Sequence, residues 1–448
     1  MNRRDLLLAA GAAGLAPRLA NAQPAPGLRA AAREAWLYGL PLIEMAGTRA
    51  RAFAGLNPGV NRFGHARRLA GPESRAVTAP NNDTLYSSAW LDLTQGPVTL
   101  TIPPTGDRYI SVAAMNMFTD NDAVLGTRTT GRNGGRFTLV GPGQAGGGPD
   151  VVRIATPHAW LLARTLVDGE ADLPAVHKVQ AGLTLEGPTG QALSAAWPKV
   201  PGRQAPALDY FDGVAAMLKA DPPPATDGAF FARVAPLGLT AAGQFDRSRF
   251  SGAQVAEIEA GVAEAKAALR SAGPIGAGAG RLVDGWTYPP NTLGFYNQAY
   301  AFRAAVALGG LAALPPAEAM YMHPEGDTGR MFTGAGPYRL HFPAGKLPPV
   351  DGFWSLTMYE GTPDGQFFLV ENPARRYAIG DRTPGLTRNA DGSLDIWIAR
   401  DDPGGARTAN WLPAPKTGPF TMSLRAYLPR QELIDGRWRA PKVQAVAR

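Results

Sequence analysis

One short stretch of the chain concentrates side chains able to bind or transform a polar molecule. Within six residues it supplies two amides, a carboxylate, a hydroxyl and a phenol, which belong to Asn81, Asn82, Asp83, Thr84 and Tyr86. Amides and hydroxyls hydrogen-bond to sugar hydroxyls, and their oxygens coordinate hard cations. Asp83 would serve as a general acid or base if burial raised its pKa. We therefore predict that Asp83 and Tyr86 act on a ligand that Asn81, Asn82 and Thr84 bind.

The same stretch also has a purely structural interpretation. Asparagine and aspartate side chains accept hydrogen bonds from nearby backbone amides and so begin turns. Residues 81–84 would then only turn the chain into a strand predicted over Leu85–Leu91. In that case backbone groups would satisfy the polar atoms of Asn81, Asn82 and Asp83, with no cavity beside them. At the level of sequence both interpretations stay open.

Two arginines and three aromatic residues are further candidates for ligand contacts. Arg128 and Arg382 lie in similar loops, where each could hold a carboxylate or phosphate through two parallel hydrogen bonds. An arginine that recurs in both loops favours a structural role in holding the loop. The aromatic candidates, which could stack on sugar rings but belong more often to cores, are Trp354, Tyr359 and Trp411.

The composition argues against several classes of chemistry. The chain has no cysteine and only five histidines, and no two histidines have the spacing of metal ligands. The sequence contains no cofactor motif, and no serine lies in a G-x-S-x-G elbow. The net charge of +7 is small for 448 residues and comes with no Lys/Arg block. We therefore predict no metal, no cofactor and no nucleic-acid partner.

The N-terminal residues have the pattern of a twin-arginine export signal. Arg3 and Arg4 precede an apolar run, Leu6–Ala16, and the small residues at 20–22 form a cleavage site. The run is shorter than the roughly 20 residues needed to cross a bilayer. These features predict a signal peptide over residues 1–22, the export machinery as a partner, a periplasmic location and no stable membrane anchor.

Hydrophobic periodicity predicts the elements that position the candidate residues. Leu28–Leu40 is Ala-rich and helical, and Pro41 is expected to end this helix. Val98–Ile102 and Arg108–Met117 flank a turn rich in Pro and Gly, which predicts a hairpin. Phe420–Leu428 alternates apolar and polar residues, so it predicts a strand with one buried side. The polar face of that strand carries Thr421, Ser423, Arg425 and Tyr427.

Two parts of the chain resemble copies of one β-rich unit. Arg108–Met115 aligns with Gly352–Tyr359, and Gly126–Gly131 aligns with Gly380–Gly385 in the same order. A predicted strand follows each pair, as expected if one unit was duplicated and its loops then changed length. The alternative is that β proteins reuse similar strand and turn sequences, since the shared motif is short.

The sequence as a whole predicts a mainly β fold with helical segments. We expect two antiparallel β-sandwich or barrel domains joined by an Ala-rich helical region, and under the duplication interpretation the two domains are copies of one unit. The predicted divisions are a signal peptide over 1–22, an N-terminal helical segment over 23–60, a first β domain over 61–190, a helical connecting region over 191–320 and a second β domain over 321–448.

Long motifs resemble two families of exported proteins that usually occur together. The motifs that resemble the domain of unknown function 1254 are residues 79–92, 106–109 and 126–128. Those that resemble its usual C-terminal companion, the domain of unknown function 1214, are residues 353–359, 379–383 and 410–415. The resemblance covers nearly all of the chain after the predicted signal. It implies an exported, β-rich two-domain protein, and it implies no settled activity, substrate or catalytic residue.

These observations favour an exported protein that binds or acts on a small polar or carbohydrate-like ligand through residues 81–86. Aromatic residues and loops at the rim of a β scaffold suit such a ligand. The alternative is a non-catalytic cell-envelope protein that binds a ligand or takes part in interactions, because the sequence contains no recognised set of catalytic groups.

Overall fold

The computed structural model describes most of the chain after the predicted signal. The described residues are 27–75, 78–189, 197–271, 280–329, 331–334, 336–363 and 365–446. The predicted signal peptide over 1–22 lies outside them. None of the helices within the described ranges is long and apolar enough to cross a membrane.

A long first helix organises the helical part of the molecule. It is α1, Leu28–Ala54, and it runs through Pro41, so the prediction that the helix ends at this proline was wrong. A proline inside a helix removes one backbone hydrogen bond, but Leu40 and Leu42 beside it are fully buried, and this packing offsets the loss.

The other helices are α2 (Leu173–Gly182), α3 (Ala207–Ala220), α4 (Gly228–Arg233), α5 (Gly252–Ser271), α6 (Tyr300–Gly309) and α7 (Gln431–Ile434). Helix α1 packs against α3, α5 and α6.

The first β unit is a two-sheet sandwich. Its strands are β1 (Gly64–His65), β2 (Thr84–Asp92), β3 (Val98–Ile102), β4 (Ile110–Asn116), β5 (Asn121–Gly126), β6 (Gly135–Val140), β7 (Val151–Arg153), β8 (His158–Leu166) and β9 (Thr184–Glu186). One sheet has the order β1-β2-β8-β4-β5 and the other β7-β6-β3-β9. Apolar residues of both sheets, such as Leu100 and Leu161, fill the space between them.

The second β unit is a sandwich of the same kind. Its strands are β10 (Arg281–Val283), β11 (Trp286–Tyr288), β12 (Ala319–Pro324), β13 (Tyr338–Phe342), β14 (Trp354–Gly361), β15 (Phe367–Leu369), β16 (Ala378–Gly380), β17 (Leu394–Ala399), β18 (Trp411–Pro413), β19 (Phe420–Tyr427) and β20 (Gln444–Ala445). One sheet has the order β10-β11-β12-β19-β14-β15, with β16 also paired to β14, and the other has the order β18-β17-β13-β20. The prediction of a β-rich fold with two sandwich units is therefore confirmed.

The two units have the same strand order. The run β2-β8-β4-β5 corresponds to β12-β19-β14-β16, and β7-β6-β3-β9 corresponds to β18-β17-β13-β20. Both smaller sheets also contain one parallel pair, β6 with β7 and β17 with β18. Ser111 lies opposite Gly126 in the first unit, and Ser355 lies opposite Gly380 in the second. These are the positions that the sequence alignment equated, so the likeness extends from topology to single residues.

The predicted hairpin between residues 98 and 117 was wrong. Strand β3 pairs with β6 and β9, whereas β4 pairs with β5 and β8 in the other sheet. The turn at 103–107 therefore connects the two sheets of the sandwich. Alternation of apolar and polar residues specifies a strand and its buried face, but it does not specify which strand lies beside it.

Strand β19 is buried on both faces, which contradicts the predicted strand with one buried side. Its apolar residues, such as Met422 and Leu424, lie in the core of the second unit. Its polar residues are also buried, and Arg425 and Tyr427 are only 5% and 0% exposed. They are covered because this face of the second unit packs against the first unit.

A buried histidine joins the helical part to the first β unit. The Nδ1 atom of His158 lies 3.0 Å from Asp221 Oδ1, and its Nε2 atom lies 3.6 Å from Asp92 Oδ2. Burial alone would lower the pKa of His158, but hydrogen bonds and charges of the two aspartates outweigh it and raise this pKa to about 9. The imidazolium form therefore holds the two carboxylates together at neutral pH.

Candidate functional site

Two polar sheet faces meet between the β units. At one end of the larger sheet of the first unit, Trp90 stacks on Trp160 and both pack against the helices. At the other end the same sheet face becomes polar and contacts the second unit. We call this contact the interdomain polar layer and define it by Asp83, Tyr86, Ser111, Arg164, Tyr321, Ser355, Tyr359, Arg425 and Tyr427.

Each unit contributes an equivalent row of three side chains to the interdomain polar layer. Residues directly opposite one another on neighbouring strands point to the same face of a sheet. In the first unit the row is Tyr86, Arg164 and Ser111 on β2, β8 and β4. In the second unit the row is Tyr321, Arg425 and Ser355 on β12, β19 and β14. Two arginines thus lie in one buried layer.

Asp83 points from the turn before β2 into this layer. Its Oδ2 atom accepts a hydrogen bond of 2.8 Å from the Ser355 hydroxyl of the second unit. Burial raises the pKa of Asp83, while the charge of Arg425 and hydrogen bonds from Ser355 and Tyr427 act in the opposite direction. The net direction is upward, so this carboxyl group holds a proton more readily than an exposed aspartate.

The neighbouring asparagines mainly stabilise the turn. The Oδ1 atom of Asn81 accepts from the backbone amides of Asp83 and Thr84, at 2.6 and 3.2 Å. Its Nδ2 atom donates to the Tyr427 hydroxyl at 2.6 Å, and Asn82 Nδ2 donates to the Ala70 carbonyl at 2.5 Å. The structural interpretation therefore holds for Asn81 and Asn82. Asp83 instead accepts a hydrogen bond from a side chain of the second unit.

Arg425 is fully engaged by its own unit and by the turn before β2. Its Nη1 atom donates to Thr357 Oγ1 at 2.7 Å, and its Nη2 atom donates to the Tyr359 hydroxyl at 2.6 Å and to the Ala79 carbonyl at 3.3 Å. The Tyr359 hydroxyl in turn donates to the Pro80 carbonyl at 2.8 Å. Tyr359 therefore lies at the predicted site, held against the turn that carries Asp83.

Three residues of the interdomain polar layer are only partly buried. Asp83, Tyr86 and Tyr321 each keep part of their surface accessible, whereas Arg164 and Arg425, which lie beside them on the sheets, are only 4% and 5% exposed. Solvent therefore reaches this layer at these three residues.

The two arginines of the similar loops join the units beside the interdomain polar layer. Arg128 Nε lies 2.6 Å from Oε2 of Glu318, a buried carboxylate that also accepts from the Tyr109 hydroxyl at 2.9 Å. Arg382 forms an ion pair with Asp168. In each case an arginine of one unit binds a carboxylate of the other, so both side chains already have the partner that a ligand would offer.

Two predicted aromatic residues lie away from Asp83. The Trp354 ring belongs to the hydrophobic core of the second unit. The Trp411 indole donates to the Ala399 carbonyl at 2.9 Å, within the strands β17 and β18. The structure thus brings Asn81, Asn82, Asp83, Thr84, Tyr86 and Tyr359 together, and it places Arg128, Arg382, Trp354 and Trp411 elsewhere.

The residues of the interdomain polar layer that sequence reasoning did not select are Ser111, Arg164, Tyr321, Ser355, Arg425 and Tyr427. The alternation in Phe420–Leu428 had placed Arg425 and Tyr427 on a polar face. What sequence could not supply was the first unit packed against that face, since contacts between units leave no periodic pattern in either strand.

Comparison with solved structures shows that this fold occurs in another protein. The crystal structure of the VPA0106 protein from Vibrio parahaemolyticus matches 94% of this chain and 100% of its own, with a TM-score of 0.67 and 23% sequence identity. An uncharacterised protein from Burkholderia cenocepacia matches over 92% of this chain and 88% of its own, with a TM-score of 0.44 and 15% identity. The first of these shares the fold. No curated protein matches the chain.

Two families of unknown function match the two β units. The family described as protein of unknown function DUF1254 matches residues 60–187, which contain all strands of the first unit. The family described as protein of unknown function DUF1214 matches residues 318–431, which contain β12 to β19 of the second. The chain therefore belongs to DUF1254 over its first β unit and to DUF1214 over its second.

Proposed function

We propose that this protein binds a small polar or carbohydrate-like ligand in the interdomain polar layer. One observation carries the proposal: Asp83, whose pKa is raised by burial, is partly accessible where the two sheets face each other, and the ligand would enter a cleft beside it. A binding cleft between two rigid units, with a few polar groups directed into it, is a common form of ligand site. Tyr86 and Tyr321, in the same layer as Asp83, would offer ring faces and hydroxyls to the ligand.

The role of Asp83 in this proposal is that of an acid or base toward the ligand. A carboxyl group with a raised pKa exchanges a proton closer to neutral pH than an exposed one. The hydrogen bond from Ser355 fixes its Oδ2 atom, so the carboxyl group is oriented before a ligand arrives. Tyr86, on the strand that follows, would orient the ligand.

The proposed location is the periplasm. The supporting observation is the sequence at residues 1–22, where Arg3 and Arg4 precede a short apolar run and a small-residue cleavage site. The twin-arginine machinery would export the chain in folded form, which suits a protein whose site needs both β units in contact.

The second candidate function is binding without turnover, and one observation favours it over sugar hydrolysis. Glycoside hydrolases commonly use a pair of carboxyl groups on either side of the bond that breaks. Here Glu318, a second buried carboxylate near the interdomain polar layer, is already bound by Arg128 and Tyr109. Asp83 would then only recognise the ligand.

Calorimetric titration with neutral mono- and disaccharides, combined with product analysis, tests the proposal. We expect binding to wild-type protein and at least about tenfold weaker binding to Asp83→Asn, which loses a charge-assisted hydrogen bond. Asp107→Asn is the matched control, because the side chain of Asp107 is 95% exposed. Equal binding by Asp83→Asn and Asp107→Asn would contradict a role for Asp83, and product formation would distinguish an enzyme from a binding protein.

A further inference from the structure

The two equivalent arginines of the interdomain polar layer differ in their hydrogen bonds. Arg425 uses both terminal nitrogens, on Thr357 and on Tyr359. Arg164 donates from Nη2 to the Ala312 carbonyl at 2.6 Å, but its buried Nη1 atom has no hydrogen-bond partner among the described residues. One of two cations in equivalent positions is thus incompletely bonded.

The register of the strands explains this difference. Thr357 and Tyr359 lie two and four residues beyond Ser355, the residue opposite Arg425. The same positions beyond Ser111, the residue opposite Arg164, are occupied by Ala113 and Met115. Alanine and methionine offer no hydrogen-bond acceptor comparable to a hydroxyl. The first unit has the arginine but lacks the side chains that would satisfy it.

Arg164 also lacks a carboxylate of its own. Glu318 is close enough for Arg164 to act against the burial that raises the pKa of this glutamate, but the Glu318 oxygens are bonded to Arg128 and Tyr109. The guanidinium lies 5.4 Å from the centre of the Tyr86 ring, a favourable but weaker contact. Arg164 is 4% exposed, and burying a guanidinium without an anionic partner costs desolvation free energy that nothing offsets.

The backbone around Arg164 holds it in position. The Ala312 carbonyl that accepts its hydrogen bond belongs to a residue with a left-handed φ of 70°. Non-glycine residues adopt such a conformation at a cost, and these residues cluster at functional sites. The hydrogen bond to Ala312 therefore holds the guanidinium beside the Tyr86 ring. Burial raises the pKa of Tyr321, and the charge of Arg164 acts in the opposite direction.

We infer that Arg164 binds an anionic oxygen group of the ligand, a carboxylate or a phosphate, through its Nη1 atom. This inference rests on the proposed function, since it assigns a charge to the ligand of the same cleft. The ligand would place its anionic group on Arg164 and its hydroxyl-bearing part near Asp83 and the two tyrosines. A sugar acid or a sugar phosphate has this combination of groups, and a neutral sugar does not.

Thermal shift and calorimetric titration with inorganic phosphate and acetate test the inference, with chloride at equal ionic strength as reference. We expect both oxyanions to raise the melting temperature of the wild type in a saturable way. Arg164→Gln should bind them about ten- to a hundredfold more weakly, because a charge-assisted hydrogen bond is lost. Arg136→Gln, at an exposed pair with Glu186, is the matched control and should bind as the wild type does. If Arg164→Gln does not fold, Arg164→Lys replaces it, and we expect weakened binding because lysine lacks the planar donor pair.

Equal oxyanion binding by the wild type and the Arg164 variants, or none by the wild type, would overturn the inference. Titration with D-glucuronate and D-glucose, which differ at a carboxylate, separates this failure from failure of the proposed function. If both sugars bind with equal affinity and this binding is lost in Asp83→Asn, the proposed function stands and the inference about Arg164 is wrong. If the wild type prefers glucuronate by at least about tenfold and the Arg164 variants lose this preference, both the proposed function and the inference are supported.

Discussion

Comparing the stability of Arg164→Met with that of Arg425→Met distinguishes an arginine that stabilises the fold from one that we propose binds a ligand. Both residues are buried, at 4% and 5% exposure, and both lie in the middle of equivalent sheets. Methionine keeps much of the apolar volume of the arginine stem and removes the charge and all donors. Differences between the variants therefore report what each guanidinium is bonded to.

The expected magnitudes follow from the hydrogen bonds. Arg425→Met removes the bonds to Thr357 and Tyr359 and also removes the positive charge that acts against the burial of Asp83. Breaking such a buried network costs about 3–5 kcal/mol. Arg164→Met removes one bond, to the Ala312 carbonyl, worth about 1.5–3 kcal/mol. It also removes an uncompensated buried charge whose desolvation costs several kcal/mol, so we expect a change of about 1 kcal/mol or a gain in stability.

Urea-induced unfolding, followed by tryptophan fluorescence at pH 7 without added oxyanions, measures the free energy of unfolding of both variants. The transition midpoint and the slope with urea should be reported together, because only an unchanged slope makes the midpoints comparable. Equal destabilisation by Arg164→Met and Arg425→Met would refute the reasoning. It would mean that the protein satisfies Arg164 as completely as it satisfies Arg425.

Three further predictions concern pH, packing and export. Because the pKa of His158 is raised to about 9 in the folded state, protonation of His158 stabilises the fold by about 3 kcal/mol below the unfolded pKa near 6.5, and this contribution is lost as pH rises through about 9. Urea unfolding across this pH window should show the loss in the wild-type protein. An equal loss in His158→Gln would contradict this prediction. Gly380→Ala should lower the free energy of unfolding by about 1–3 kcal/mol, because a Cβ at this position would collide with a backbone oxygen of β14. Gly228→Ala is the control, since a Cβ there meets nothing within 4 Å and should change this free energy by less than about 1 kcal/mol. Similar changes in both variants would contradict the close approach at Gly380. Replacing Arg3 and Arg4 by lysine should retain the uncleaved chain in the cytoplasm on cell fractionation, and normal processing would reject twin-arginine export.

Sequence reasoning recovered several strands from their local residue pattern. Val98–Ile102 matches β3 residue for residue, Leu85–Leu91 lies within β2, and Phe420–Leu428 contains β19. Strands β11 and β12 were not predicted, because they lie in or next to the Ala-rich range 191–320 that was predicted to be helical. Short strands are specified by their neighbours in the sheet more than by their own residues.

Sequence reasoning selected only part of the candidate site. Asp83 and Tyr86 were selected from local chemistry, and the structure places both in the interdomain polar layer, partly accessible. Arg164 lies in a strand that is buried along its whole length, and a single charged residue within such a strand carries no local signal of function. The row to which it belongs becomes visible only when the register of three strands is known.

The difference between the two units supports placing the proposed ligand beside the first unit. Each unit has a carboxyl group three residues before its row tyrosine, Asp83 before Tyr86 and Glu318 before Tyr321. Glu318 is 1% exposed and bound by an arginine and a tyrosine of the first unit, whereas Asp83 stays partly accessible. Since topology and register are shared, the fold itself does not require Asp83 to remain accessible. The partly accessible Asp83 and the incompletely bonded Arg164 both belong to the first unit, and this supports our proposal that the first unit recognises the ligand.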